Sequence, residues 1–438
     1  MKKSASLITI FYGMTIAIQI LGQIVITRIF GAHVQLDAFV SAVTIPTILT
    51  TVIAATLSDA FLPILKKHQL ADEEGANVYF FRIALITVGL VLVVALVIDL
   101  CAPLLLTGLF GARGPAFIAL TGGLMRFMLY TIPFTVMGSF ANAYLYSKKR
   151  YIVPSIAYFI GSIANLSLII ALSNTLGIVS MVVGFITAII IQLFIVFPYK
   201  LIPYVQSAVG RLGNSETKAD ILRLLGAWAP LIGSAIILRF DSVLTRSFAS
   251  RLAEGYIVYV NLTMSLFGGL IGIMTIGIQT VFYPHLVELL HAHDIRKAAE
   301  RVWQAKLAAF VLTIGMIGVI LFIAPFFMRL LLVGGKFSRN NVETLISLFP
   351  YFVVPAMGWG IAQIFSQPVT AVGKQHYLTV VNGLAVCLAW VSANIAFQLY
   401  GGLAAISAGL IVLSFTGIIG AEIIWNKSRH TLQSSQVH

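Results

Sequence analysis

Five ionisable residues, Asp59, Arg126, Arg239, Asp241 and Glu422, stand inside long apolar stretches of this 438-residue chain. A charge facing hydrocarbon costs about 2.5 to 3.5 kcal/mol even on the lenient insertion scale, so such groups are expected in a bundle interior, a polar cavity or an ion pair. Arg126 and Arg239 are the strongest candidates, because apolar neighbours flank both. Their chemistry would be to hold a charged solute part-way across a membrane. Asp241 lies two residues from Arg239, hence on a different face of an ideal helix, and a direct pair needs local distortion. Asn261 completes the expected cavity set. The plainer reading lets each arginine snorkel to a helix end or pair with another helix. Asp59 and Glu422 lie near the ends of their stretches, where water is close, and read as structural.

The other chemistry-bearing residues form no constellation. His285, His291 and His293 cluster in a polar connection with no cysteine or paired acid, and read as a solvated loop rather than a metal site. Cys101 and Cys387 lie in separate apolar stretches with neither metal spacing nor a disulfide framework, and read as membrane-packing residues. No phosphate-cradling Walker loop is present. The expectation is a transporter rather than an enzyme, with no metal and no cofactor.

The elements that would position these residues are membrane helices. Apolar residues make up 59% of the chain and charged residues 10%, against about a quarter charged in soluble domains. A spanning helix needs roughly 20 apolar residues. Stretches of that kind recur at 6–30, 37–64, 78–106, 114–146, 152–173 and 177–199, then at 220–246, 255–283, 303–332, 342–371, 377–399 and 402–425. The fold class is therefore an all-α polytopic membrane protein of about 12 transmembrane helices. The first stretch follows Lys2 and Lys3 but is too long for a signal peptide and shows no small-residue cleavage site. Prolines such as Pro46, Pro63, Pro284 and Pro355 permit kinks. Gly268, Gly269, Gly272 and Gly277 make the eighth span either flexible or close-packed.

Lysine and arginine set the orientation, because cationic loops stay cytoplasmic. With the N-terminus inside, the opposite face keeps Arg28, Arg113, Arg246, Arg251, Arg329, Lys336 and Arg339, while many more cations fall on the cytoplasmic side. That places both termini in the cytoplasm of a bacterial inner membrane. It also assigns the net charge of +13 to anionic membrane lipids rather than to nucleic acid.

A polar connection at the midpoint separates two similar halves. Ile26-Thr27-Arg28-Ile29-Phe30 aligns with Leu244-Thr245-Arg246-Ser247-Phe248, Phe61-Leu62-Pro63 with Phe282-Tyr283-Pro284, Ala164-Asn165 with Ala393-Asn394, and Gly177 and Gly184 with Gly402 and Gly409. Four matches in order indicate a duplication. The organisation expected is a six-helix half at 1–203, a cytoplasmic linker at 204–219, a second half at 220–427 and a tail at 428–438. Even-numbered halves form parallel repeats, and substrate then sits between them around a central cavity.

Arg28-Ile29-Phe30-Gly31-Ala32, then Asp37-Ala38-Phe39, Ile45-Pro46 and Asp59-Ala60-Phe61-Leu62-Pro63-Ile64-Leu65 resemble the opening of the MurJ (MviN) family. Those proteins are flippases for lipid-linked peptidoglycan precursor, within the multidrug, oligosaccharidyl-lipid and polysaccharide exporter superfamily. Lys149-Arg150-Tyr151, Pro154, Phe282-Tyr283-Pro284 and Gly335-Lys336-Phe337-Ser338 extend the likeness over most of the chain. The resemblance marks Arg28, Asp37, Pro46 and Asp59 as gate or motif residues. The family usually carries arginines on its first, second and eighth helices that engage the precursor's pyrophosphate. The matching positions here are neutral, around Ile16 and Gly22, at Thr50 and at Leu262. Family members also often have fourteen helices, and twelve are read here.

Together these imply flipping or export of a polyprenyl-pyrophosphate-linked peptidoglycan or glycan precursor by alternating access, with Arg126 and Arg239 replacing the missing arginines. Guanidinium fork geometry suits a pyrophosphate. The alternative is an ion-coupled exporter of cationic drugs or metabolites from the same superfamily. Such an exporter needs carboxylates at cavity depth, whereas the central candidates lean towards arginine. A coupling ion stays open as a partner beside the membrane potential.

Overall fold

The computed structural model describes residues 2–212 and 215–434, and among them the backbone is helical apart from turns and one isolated bridge between Gly334 and Phe337. Chain contacts divide it into two compact units, Met1–Ile236 and Ile237–His438. The first holds α1 (Lys2–Phe30), α2 (Val34–Ala42), α3 (Thr44–Ala71), α4 (Glu73–Phe110), α5 (Pro115–Leu129), α6 (Ile132–Ser147), α7 (Ile152–Leu176) and α8 (Val179–Val196). A short α9 (Tyr204–Gly210) then leads into α10 (Ser215–Leu238), whose last turn crosses the boundary. The second unit continues with α11 (Phe240–Ala249), α12 (Tyr256–His291), α13 (Ile295–Phe322), α14 (Ala324–Leu331), α15 (Arg339–Ser347), α16 (Phe349–Ala371), α17 (Gln375–Tyr400) and α18 (Gly402–Ser434).

Among the described residues, eleven helical stretches are long and apolar enough to cross a membrane, or twelve when α15 and α16, bent by 50°, are counted as one span. The protein is an all-α, multi-pass membrane protein. Several expected spans are broken where the sequence pattern read one helix. Pro133, Pro325 and Pro350 stand in the first turns of α6, α14 and α16. A proline there lacks the N–H that would continue the preceding helix, and its ring crowds the carbonyl behind it. The seventh span breaks without a proline, at Arg239 between α10 and α11.

Between lipid-embedded helices the hydrophobic effect supplies little attraction, so close van der Waals contact and small residues hold them together. Gly184 of α8 shows this: a Cβ there would lie 2.4 Å from Asn165 Oδ1 and 2.9 Å from the Asn165 carbonyl of α7. Gly409 of α18 is as crowded, with Leu244 at 2.9 Å and the Ala393 Cβ of α17 at 3.1 Å. Gly184 and Gly409 thus share a basis in the tight pairs α7/α8 and α17/α18, whereas a Cβ at Gly177 would meet nothing within 4 Å. The α12 glycines are the opposite case. A Cβ at Gly268, Gly269, Gly272 or Gly277 would meet nothing within 4 Å, which removes close packing as their reason.

Aromatic packing anchors the first unit. Phe61 of α3 meets Phe140 of α6 edge-on at 4.6 Å and stacks on Tyr79 of α4 at 6.1 Å, contacts worth about 0.5 to 1.5 kcal/mol each beyond area burial. In the second unit Trp425 is buried against Phe282, Leu286, Val302 and Ile364. Cys101 and Cys387 are free and exposed, so they lie on outer faces rather than in helix contacts.

Candidate functional site

Arg126 occupies the last turn of α5, four residues before the break at Tyr130, and not the middle of an unbroken span. Its Nε donates to Asp99 Oδ1 of α4 at 2.9 Å, while the Tyr130 hydroxyl donates to Asp99 Oδ2 at 3.0 Å. The Asp99 side chain is 11% exposed and that of Arg126 62%. A largely shielded carboxylate therefore anchors an arginine whose head stays accessible. Asp99 escaped the sequence reading, although it is the lone acid of the apolar 78–106 stretch.

Arg239 is exposed at the N-cap position of α11, again beside a helix break. Asp241 follows in the first turn, where the helix dipole favours a carboxylate, and its Oδ1 accepts from the Ser242 backbone N–H at 2.7 Å. Asn261 of α12 accepts instead from Arg246, whose Nη2 lies 2.9 Å from its Oδ1. Arg246 read as a loop cation in the charge tally. It is a half-buried residue of α11, and its match to Arg28 in the internal repeat was the available signal.

Asp37 is fully buried in the first turn of α2, and its Oδ2 accepts from Arg113 Nη2 at 3.0 Å. Arg113 also lies over the Phe117 ring at 5.8 Å. Arg28 stands in the last turn of α1, where positive charge complements the helix C-terminus. Pro46 is buried in the first turn of α3, and its carbonyl accepts from the Thr50 hydroxyl at 2.9 Å. Asp59 is exposed on α3. Thr50 and Leu262, where the family pattern would place cavity arginines, are both buried.

Two further pairs join helices within a unit. Arg82 of α4 bonds Asp220 of α10, with side chains only 9% and 11% exposed, and lies 5.6 Å from the Tyr79 ring. Lys306 of α13 bonds Glu422 of α18, and its Nζ sits 4.4 Å from the Phe365 ring. Arg82 was hidden inside an apolar stretch, and Lys306 read as a loop charge. Around the histidine connection, Asp294 caps α13, and its hydrogen bonds with Lys297 hold its carboxyl below the usual range. Among the described residues no group of three histidine, cysteine or acidic side chains is placed to hold a metal ion.

The family model described as lipid II flippase MurJ matches residues 26–434. Two curated relatives, each named a probable lipid II flippase MurJ, come from Borreliella burgdorferi and Buchnera aphidicola subsp. Acyrthosiphon pisum. The first is 23% identical over 351 residues, covering 77% of this chain and 66% of the relative. The second is 22% identical over 347 residues, covering 75% of this chain and 66% of the relative. The matched stretch thus spans just under two-thirds of the length of these relatives. A structure of lipid II flippase MurJ in an inward closed conformation superposes with a TM-score of 0.77 at 18% identity, over 97% of this chain and 87% of that one. An inward-facing multidrug resistance MATE family transporter of the MOP superfamily gives 0.74 at 16%, over 97% and 94%. At these identities the structural likenesses establish the fold alone.

Proposed function

The chain belongs to the lipid II flippase MurJ family, and on that premise we propose that it moves a polyprenyl-pyrophosphate-linked peptidoglycan or glycan precursor across the bacterial inner membrane by alternating access. The observation that carries this reading is the family match along residues 26–434, which takes in nearly every helix. It acts as a transporter without chemical conversion of its cargo. The cation tally supports a cytoplasmic N-terminus and C-terminus. The likeness to multidrug transporters supports the drug-exporter alternative only at the level of fold.

In this reading Arg126 and Arg239 engage the anionic headgroup. Both guanidinium groups are exposed, both stand beside a helix break, and each is able to present a planar fork to phosphate oxygens. Asp241 follows Arg239 by two residues in the first turn of α11, and Asn261 of α12 joins α11 through its hydrogen bond from Arg246. Membrane potential or a coupling ion supplies the direction.

The test is reconstitution of the full chain in vesicles carrying a headgroup-labelled lipid-linked precursor, followed by its exposure on the opposite leaflet. Wild type accelerates that exposure, Arg239→Ala and Arg126→Ala abolish it, and the lysine variants retain part of it. Alanine variants that accumulate and flip like wild type would overturn the arginine assignment. Vesicles in which the wild-type chain moves no precursor overturn the function.

A further inference from the structure

Helix α10 is fastened to its own bundle by side chains rather than by close backbone contact. Thr217, Asp220, Leu224 and Trp228, three or four residues apart and so on one face, are all buried. Two contacts hold that face. Arg82 Nη2 of α4 donates to Asp220 Oδ2, and the Trp228 indole N–H donates to Thr56 Oγ1 of α3 at 2.8 Å. The Thr56 hydroxyl donates its own hydrogen to the Val52 carbonyl, which leaves its oxygen as the acceptor. The fastening stops there. Leu231, next on the same face, is exposed, and none of the described residues from 229 to 237 is buried. A Cβ at Gly226 or Gly233 would meet nothing within 4 Å, and among the described residues no other helix packs its backbone closely along α10. The close van der Waals contact that usually holds a membrane helix is therefore missing.

Each member of the charged pair also keeps a second partner on its own helix. Arg223, three residues further along α10, has its Nη1 3.7 Å from Asp220 Oδ1, too far for a hydrogen bond but close enough to take over the carboxylate. Arg82 lies 5.6 Å from the ring of Tyr79, three residues before it on α4. The closed pair is itself incompletely satisfied, because Arg82 Nε is buried with no hydrogen-bond partner among the described residues. Parting the two helices thus strands neither charge, and the pair is suited to open and close.

We propose that Arg82 with Asp220 and Trp228 with Thr56 form a releasable latch that docks the first half of α10 on α3 and α4, and that it opens by passing Asp220 to Arg223 while Arg82 stays on Tyr79. That the opening belongs to a transport cycle rests on the flippase reading; the latch itself does not.

Thr217→Cys reports the opening, in the full chain carrying Cys101→Ala and Cys387→Ala in phosphatidylcholine nanodiscs. Its maleimide labelling rate, divided by the rate of the same variant denatured in dodecyl sulfate, follows the fraction of chains that are open. Arg82→Gln raises that ratio at least about threefold, and so does Thr56→Val, whose partner Trp228 lies eleven residues along α10 from the reporter. Arg223→Gln removes the second partner of Asp220 and lowers the ratio at least about twofold. Ser147→Cys, buried at the end of α6, is the control, and its ratio stays the same in every variant. An unchanged Thr217→Cys ratio in Arg82→Gln and Thr56→Val overturns the latch, even where the thermal midpoint falls, since a merely structural tie predicts that pattern. A parallel rise at Ser147→Cys reports general loosening and overturns it as well. Labelling in Arg223→Gln as fast as in its parent overturns the exchange of partners. Opening as described in a chain that moves no precursor counts against the flippase reading alone.

Discussion

Asp37 and Arg113, 76 residues apart in sequence, form a salt bridge of 3.0 Å in which the carboxylate is wholly shielded from solvent. The pair ties the start of α2 to the turn between α4 and α5. The acid belongs to the opening family motif, and its partner looked like a loop cation in the sequence.

Removing one member of a buried pair leaves the other charge uncompensated, at a cost of about 3 to 5 kcal/mol. Arg113→Ala is therefore expected to lower the thermal midpoint in detergent sharply, and Arg113→Ala with Asp37→Asn to recover part of the loss. A single variant as stable as wild type would show that the bridge contributes nothing.

Arg82 and Asp220 join α4 to α10 in a similarly buried setting. A double-mutant cycle with alanine at both positions should return a coupling of about 1 to 3 kcal/mol, read from unfolding midpoints. The exchanged pair Arg82→Asp with Asp220→Arg should be more stable than either reversal alone. Additive effects would mean that the two side chains act independently.

Glycine substitutions should divide by environment. Gly184→Ala forces a Cβ against the Asn165 carbonyl, a backbone atom with little freedom to move, and is expected to destabilise by about 1 to 3 kcal/mol. Gly269→Ala meets open space in the middle of α12 and should stabilise by up to about 1 kcal/mol. If transport nevertheless falls in Gly269→Ala, flexibility of α12 is the property lost.

The orientation is checked by labelling. Cys101 and Cys387 are exposed and must first be replaced by alanine. Single cysteines introduced as Ala112→Cys and Lys149→Cys should then react with a membrane-impermeant maleimide from opposite sides, with position 149 cytoplasmic. Labelling of both from one side would refute the assigned topology.

The sequence by itself determined the solvent, the fold class and the number of spans, because hydropathy over some twenty residues is a local sum that needs no partner. It also carried the family motif, and it singled out Gly184 and Gly409, whose contacts leave no room for a side chain at either position. It could not locate the helix breaks at Tyr130 and Arg239, where apolar neighbours continue across the interruption. Nor could it pair charges. Asp37 with Arg113, Arg82 with Asp220, Lys306 with Glu422 and Asp99 with Arg126 are separated by 27 to 138 positions. A one-dimensional pattern shows only that each charge needs a partner in a medium of low dielectric. Which one it receives is decided when helices distant in the chain pack side by side.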